Sequence, residues 1–362
     1  MKFAHFSHVW GKAGLSPAQR YEQLWKELEA ADATGFDYGF CVEHHFSPRE
    51  SWMTSPSLYT VAAGARTKRI RLGGMGHVAP LHHPVRLVEE ITMADQMLGG
   101  RVEVGLVAGI VNSYFTPFAA DFANRRDLVQ EFIGFLKTAY GADGAFDFHG
   151  ATIQQKGLTL SIPGAQRPHP PLWLESRDIP TLEFCAQEGL NTGYFIFFPR
   201  AEAKPRYETY LANWRRHGWT GTPNIAYSTV VYVDETDEKA LSIALADASR
   251  AYKGIFTDSD DPDEIRASQN RFGAFFESRG EPGAAEIVRH MLDPDYLLEK
   301  ELILIGSPDT VAKKLRRWAS DGMFNTFFGE FNFGNLPEDC LLRSINLFGR
   351  EVIPALRDFE PF

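Results

Sequence analysis

Cysteine is scarce in this chain, and what there is does not pair. Cys41, Cys185 and Cys340 are odd in number and far apart. Such a set gives neither a disulfide framework nor a zinc-finger spacing, so a reducing cytoplasm is the expected compartment. Long apolar runs are missing too, and none approaches the ~20 residues that span a bilayer. The opening MKFAHFSHVW takes on strand-like spacing at once, without secretory-leader architecture. Basic runs are absent, and the formal net charge is −10. Neither a nucleic acid nor a membrane is therefore an expected partner. There is no short-period repeat and no low-complexity tract. The first strand is followed by HVWGKAGLSP, which is not the glycine-rich phosphate fingerprint of a doubly wound nucleotide-binding sheet.

What is present is a globular chain of 362 residues, 44% hydrophobic and 23% charged, rich in phenylalanine. Length alone allows several domains, so pattern must decide. Strand-like segments at 2–7, 36–46, 69–79, 101–108, 171–176, 190–198, 224–233 and 323–331 alternate with helical ones. Ser16-Pro17, Ser55-Pro56 and Ser307-Pro308 read as helix starts, and Gly35, Gly99-Gly100 and Gly189 as stops. Residues 145–160 read as a small hairpin, and 254–300 as a polar, Asp/Gly/Pro-rich insertion. The alternation predicts a single-domain (β/α)8 TIM barrel with insertions over 1–362.

The stretch FDYGFCVEHHF, residues 36–46, organises that barrel. An apolar strand running straight into Glu43-His44-His45 delivers acid and imidazole to the C-terminal mouth, where barrels keep their chemistry. Neighbouring strand residues face opposite ways, so at most one histidine faces the mouth, with the other packed behind it. His44 then serves either proton transfer or a structural hydrogen bond. Gly73-Gly74-Met75-Gly76 mark a close backbone approach or a bulge. Glu175-Ser176-Arg177 lead into a helix start, which is either an anion site or a plain cap. Adjacent histidines such as His82-His83, and His5 with His8 three apart, do not form the HxH pair of barrel metal hydrolases. No metal is expected.

Four segments in register with the strands resemble the bacterial luciferase family of flavin-dependent monooxygenases. They are MKFAHF with GFDYGFCVEHHF, HVAPLHHPVRLVEEITMADQMLGGRVEVGLVAG, LWLESRDIPTLEFCAQEGL, and GSPDTVAKKLRRW with EFNFGNLPEDCLLRSINLFGREVIPAL. The resemblance implies a two-component enzyme that takes reduced FMN from a separate NAD(P)H-dependent flavin reductase. With O2 it would oxygenate a small apolar organic substrate through a flavin C4a-(hydro)peroxide. It implies His44 as catalytic acid/base beside Glu43, and a non-proline cis bond at Met75–Gly76 under the flavin. Glu175 and Ser176, with Arg126, Arg177 and Thr181, would cradle the phosphate. Trp173, Tyr194, Phe195, Phe197 and Phe328 would line the substrate pocket. The 254–300 insertion would be a lid, and helices after strands two and three would build a homodimer. Where bacterial luciferase has Cys-Arg-Gly after strand four, this chain has Val107-Ala108-Gly109, so Arg126, Arg177 or Arg125 must supply the charge. Rival readings are deazaflavin-dependent hydride transfer, a metal-dependent barrel hydrolase, and a flavin-binding subunit without activity.

Overall fold

The computed structural model describes residues 1–362. Its parallel strands are β1 (Lys2–Ser7), β2 (Tyr38–Cys41), β3 (Arg71–Gly74), β4 (Val104–Val107), β5 (Leu172–Leu174), β6 (Thr192–Phe195), β7 (Ile225–Val233) and β8 (Thr326–Glu330). β1 pairs with both β2 and β8, and β2 with β3. β4 pairs with β5, and β7 with β6 and β8. Bridges at Leu72–Val102 and Trp173–Asn191 join the remaining neighbours, so the sheet closes on itself as a barrel.

Local chemistry sets the helix starts. Ser16 and Gln19 form a reciprocal capping box ahead of helix Pro17–Ala33. Ser55 and Ser307 cap helices Pro56–Arg66 and Pro308–Gly322 in the same register, each with proline at the first position. Gly189 ends helix Ile179–Glu188 at φ 69°, a left-handed turn that a side chain disfavours.

Inward-facing positions of separated strands fill the barrel with aromatics. Phe40 lies 5.2 Å from Phe328 and 6.0 Å from Trp173, centroid to centroid. Phe6 lies 5.7 Å from Phe328 and 6.4 Å from Phe195. The Trp173 indole donates to Glu103 Oε2 at 2.6 Å, so its polar atom is satisfied in the core. These rings form a floor on which the mouth stands.

The structure departs from the sequence pattern in four places. β2 is regular only over Tyr38–Cys41, and β3 breaks after Gly74 and resumes at His77–Val78. A strand at Leu304–Gly306, not expected, pairs with the end of β7. The final helix is interrupted by a π turn at Phe348–Val352. The 254–300 insertion is built from helices Pro262–Ser278, Pro282–His290 and Pro294–Glu299, with their own apolar core against helix Asp237–Phe256.

Candidate active site at the barrel mouth

Strand alternation carries His44 to the side of Phe40, toward the mouth, and sends Glu43 the other way. The His44 side chain is 24% exposed, whereas that of His45 is 8% exposed and bonds to Glu43 at 3.0 Å. His44 Nδ1 lies 2.8 Å from Glu50 Oε1, at an angle unsuited to a hydrogen bond. The His8 ring meets His44 at 5.3 Å. His8 Nδ1 contacts Glu330 Oε2 at 2.6 Å, and the Trp10 indole donates to Glu330 Oε1 at 3.1 Å. Burial alone would lower the His8 pKa, but the Glu330 charge and hydrogen bond outweigh it, and the net shift is upward.

Glu43 is buried and works as a clasp. It accepts from His45, from His82 Nε2 at 2.9 Å, and from the Val78 amide at 2.8 Å. Burial opposes ionisation, yet these hydrogen bonds and the neighbouring histidines hold the carboxyl down to about 2. It ties the end of β2 to the chain beyond β3. Glu43 is thus committed to internal partners, and of the expected catalytic pair only His44 faces the mouth.

Between Gly74 and His77 the Met75–Gly76 bond is cis, where the resemblance implies it. The glycines here answer to a close approach of β3 and β4. A Cβ on Gly73 would lie 2.0 Å from Glu103 O, and one on Gly105 would lie 2.4 Å from Gly74 O. Met75 itself is buried.

Glu175 lies one inward step beyond Trp173, at the mouth. Its Oε2 has no hydrogen-bond partner, and burial pushes its carboxyl up to about 8. Ser176 does not cap the following helix; Asp178 does. The Ser176 hydroxyl instead accepts from the Asp178 amide at 3.0 Å. Thr181 gives its hydroxyl to Asp178 Oδ2 at 2.9 Å. Arg177 is occupied by Glu281 at 2.9 Å. Arg125 donates to the Gly109 and Phe122 carbonyls. Arg126 remains 47% exposed, 3.8 Å from Asp178 Oδ2. Arg279, from the insertion, approaches the other Asp178 oxygen at 3.8 Å. Two guanidiniums thus share one carboxylate loosely at the head of two helices, leaving positive charge over.

The aromatic residues divide. Trp173, Phe195 and Phe328 belong to the floor. Tyr194 does not: its ring stacks on Tyr207 at 5.1 Å and its hydroxyl donates to Gly322 O at 2.7 Å, so it faces the helix layer. The strand alternation that turns Phe195 inward turns Tyr194 out. Phe197 lies beyond the end of β6 and packs against the insertion's core. A groove of about 580 Å³ lies between Phe198–Lys204 and the insertion, lined by none of the expected site residues.

Sequence reasoning missed His8, Glu50, Glu330 and Arg279, and it did not foresee that His77 and His82 converge on Glu43. His8 and Glu330 were visible in principle, each two residues beyond the inward Phe6 and Phe328. Glu50 and Arg279 come from irregular or inserted chain, where periodicity carries no direction.

Comparison with known proteins agrees with this architecture. The family model for luciferase-like monooxygenases matches residues 1–324. The alkanal monooxygenase alpha chain of Photorhabdus luminescens is 25% identical over 369 residues, covering 99% of this chain and 98% of that one. Among solved structures, the oxygenating constituent of 3,6-diketocamphane monooxygenase from Pseudomonas putida, in complex with FMN, superposes with a TM-score of 0.78 at 20% identity, covering 98% of each chain. A secondary alcohol dehydrogenase dependent on coenzyme F420 superposes with a TM-score of 0.72 at 17% identity, over 99% of both chains. The chain belongs to the luciferase-like monooxygenase family.

Proposed function

We propose that this chain is the oxygenase component of a two-component monooxygenase. It takes reduced FMN from a separate NAD(P)H-dependent flavin reductase and uses O2 to oxygenate a small apolar organic substrate. The observation that carries this reading is the pairing, at one mouth, of an aromatic floor with a cationic rim. A flat ring with an anionic tail fits both ends at once.

The residues present fit the cofactor. Arg126 and Arg279 hold uncommitted positive charge for a phosphate, aided by the N-terminus of helix Ile179–Glu188. The Glu175 carboxyl, unpartnered and protonated at neutral pH, offers a donor to the ring system. Met75 and Gly76 form the surface beside it, where β3 and β4 pack too closely for side chains. Bound reduced FMN would supply the electrons that activate O2. His44 holds or moves a proton at its mouth-facing ring, with Glu50 Oε1 2.8 Å from its Nδ1. Phe6, Phe40, Trp173, Phe195 and Phe328 exclude water from beneath, which favours an apolar substrate.

No dinucleotide fingerprint occurs in the sequence, which supports electron supply by another protein. A homodimer agrees with the exposed apolar side chains on two neighbouring helices. Leu58 of helix Pro56–Arg66 is 75% exposed, and Met93 and Met97 of helix Pro84–Met97 are 52% and 57% exposed.

Anaerobic titration of the full chain with reduced FMN, reduced riboflavin and a reduced deazaflavin tests the cofactor. The reading expects FMN to bind at least about tenfold more tightly than riboflavin, since the rim recognises the phosphate. Tighter binding of the deazaflavin than of FMN would overturn it.

A further inference from the structure

We propose that Glu43, His77 and His82 form a binding site for one divalent cation of the zinc class, behind the mouth where β2 meets the chain leaving β3. The three residues come from separate places: the end of β2, the His77–Val78 strand, and the residue closing the turn Ala79–Leu81. Each offers one donor atom, and these atoms lie within 4.8 Å of one another. The site stands independently of the flavin reading.

Donor chemistry selects the ion. Two imidazoles and one carboxylate suit zinc, cobalt(II) or nickel(II), whereas magnesium and calcium prefer all-oxygen sites. A carboxylate and neutral imidazoles are the forms that ligate such an ion. His77 is 4% exposed and its Nδ1 has no partner, an uncommon state for a buried imidazole. The spacing is close to what an ion needs. Donors ~2.0–2.1 Å from a tetrahedral ion sit about 3.3 Å apart. His82 Nε2 is 2.9 Å from both Glu43 oxygens, so that edge need open only a few tenths of an ångström, with loss of the proton His82 now shares.

The outer shell is built as well. His45 donates to Glu43 Oε1 at 3.0 Å and the Val78 amide to Oε2 at 2.8 Å, fixing the carboxylate plane. An ion here would pin the segment carrying Met75–Gly76 to the end of β2. The second such cluster, His8, His44 and Glu50, is less suited. There Glu330, a carboxylate outside the cluster, already occupies His8 Nδ1 at 2.6 Å.

The test uses the full chain stripped with a chelator. Cobalt(II) is titrated in, followed by its visible absorption, and then displaced with zinc. One equivalent is expected, with the strong absorption of a low-coordinate ion, and zinc should raise the Tm. His77→Ala and His82→Asn should each weaken binding at least about tenfold and abolish the Tm rise, while His8→Ala leaves both intact. Near-UV circular dichroism establishes that each variant is folded, and either histidine variant alone suffices if the other is not. Cobalt that keeps the weak spectrum of the hydrated ion and is lost on desalting would overturn the proposal. So would binding that survives both histidine variants but disappears in His8→Ala.

Discussion

Glu43 and Glu175 stand at the same end of the barrel and are driven to opposite charge states. Glu43 receives hydrogen bonds on both oxygens and its pKa falls to about 2; Glu175 receives none on Oε2 and its pKa rises to about 8. Their effects on stability have opposite signs. For Glu43 the folded pKa lies below the unfolded value, so its contribution is present above pH ~4.5 and fades as pH falls toward ~2. The shift corresponds to roughly 3 kcal/mol. Glu43→Gln should cost about that much at pH 7, and its acid unfolding limb should be flatter across this window, measured by urea titration at stepped pH. For Glu175 the folded pKa lies above the unfolded one, so stability is complete below pH ~4.5 and declines as pH rises through ~8. Glu175→Gln should therefore be more stable than the parent at pH 9, and the difference should vanish at pH 4. A His44→Ala variant tests the proposed proton handling instead. Its kcat should fall about 10²–10⁴-fold, with reduced-FMN affinity nearly unchanged. An equal loss in binding would assign His44 to the cofactor's seat rather than to proton handling.

At the scale of elements, the clearest constraint is the contact of β3 with β4. A Cβ at Gly73 would collide with a backbone carbonyl, and backbone does not move aside as a flexible side chain does. Gly73→Ala should destabilise by at least about 1–3 kcal/mol, read as a fall in Tm and in urea midpoint. The elements that sequence disclosed best are those with local signals. Ser16, Ser55 and Ser307 announced their helices because capping is a matter of neighbouring residues. Alternation after Phe40 told that at most one of His44 and His45 faces the mouth, and the family resemblance pointed to His44. The strand Leu304–Gly306 was not legible, since three residues are too few for a period to show. The insertion was legible only as a polar, Asp/Gly/Pro-rich stretch, and pairs such as Asp261-Pro262 and Asp293-Pro294 suit turns as well as helix starts. In the folded chain each is an N-cap followed by the first helical residue. The same pairs serve both purposes, and only the tertiary partners decide. Arg279 and Glu50 were hidden for a related reason, since their relation to the mouth depends on contacts across more than a hundred residues and on an irregular loop.

Across the whole molecule, the insertion reaches back to the mouth. Glu281 holds Arg177, Arg279 approaches Asp178, and Asp260 pairs with Arg49 just beyond β2. If the rim binds phosphate, Arg126→Ala and Arg279→Ala should each weaken FMN about tenfold and leave riboflavin unaffected. That pattern would show the insertion contributing to cofactor recognition. The exposed apolar face of helices Pro56–Arg66 and Pro84–Met97 should be covered by a second copy. Light scattering should return a dimer, and Leu58→Glu with Met97→Glu should release monomers. The central claim is that this mouth protects a reduced flavin while oxygen reacts with it. Stopped-flow mixing of the protein–FMNH2 complex with oxygen tests it most directly. The account predicts slow, multiphasic reoxidation through a long-lived absorbing species whose decay hastens with an apolar substrate; single-phase oxidation at the rate of free FMNH2 would contradict it.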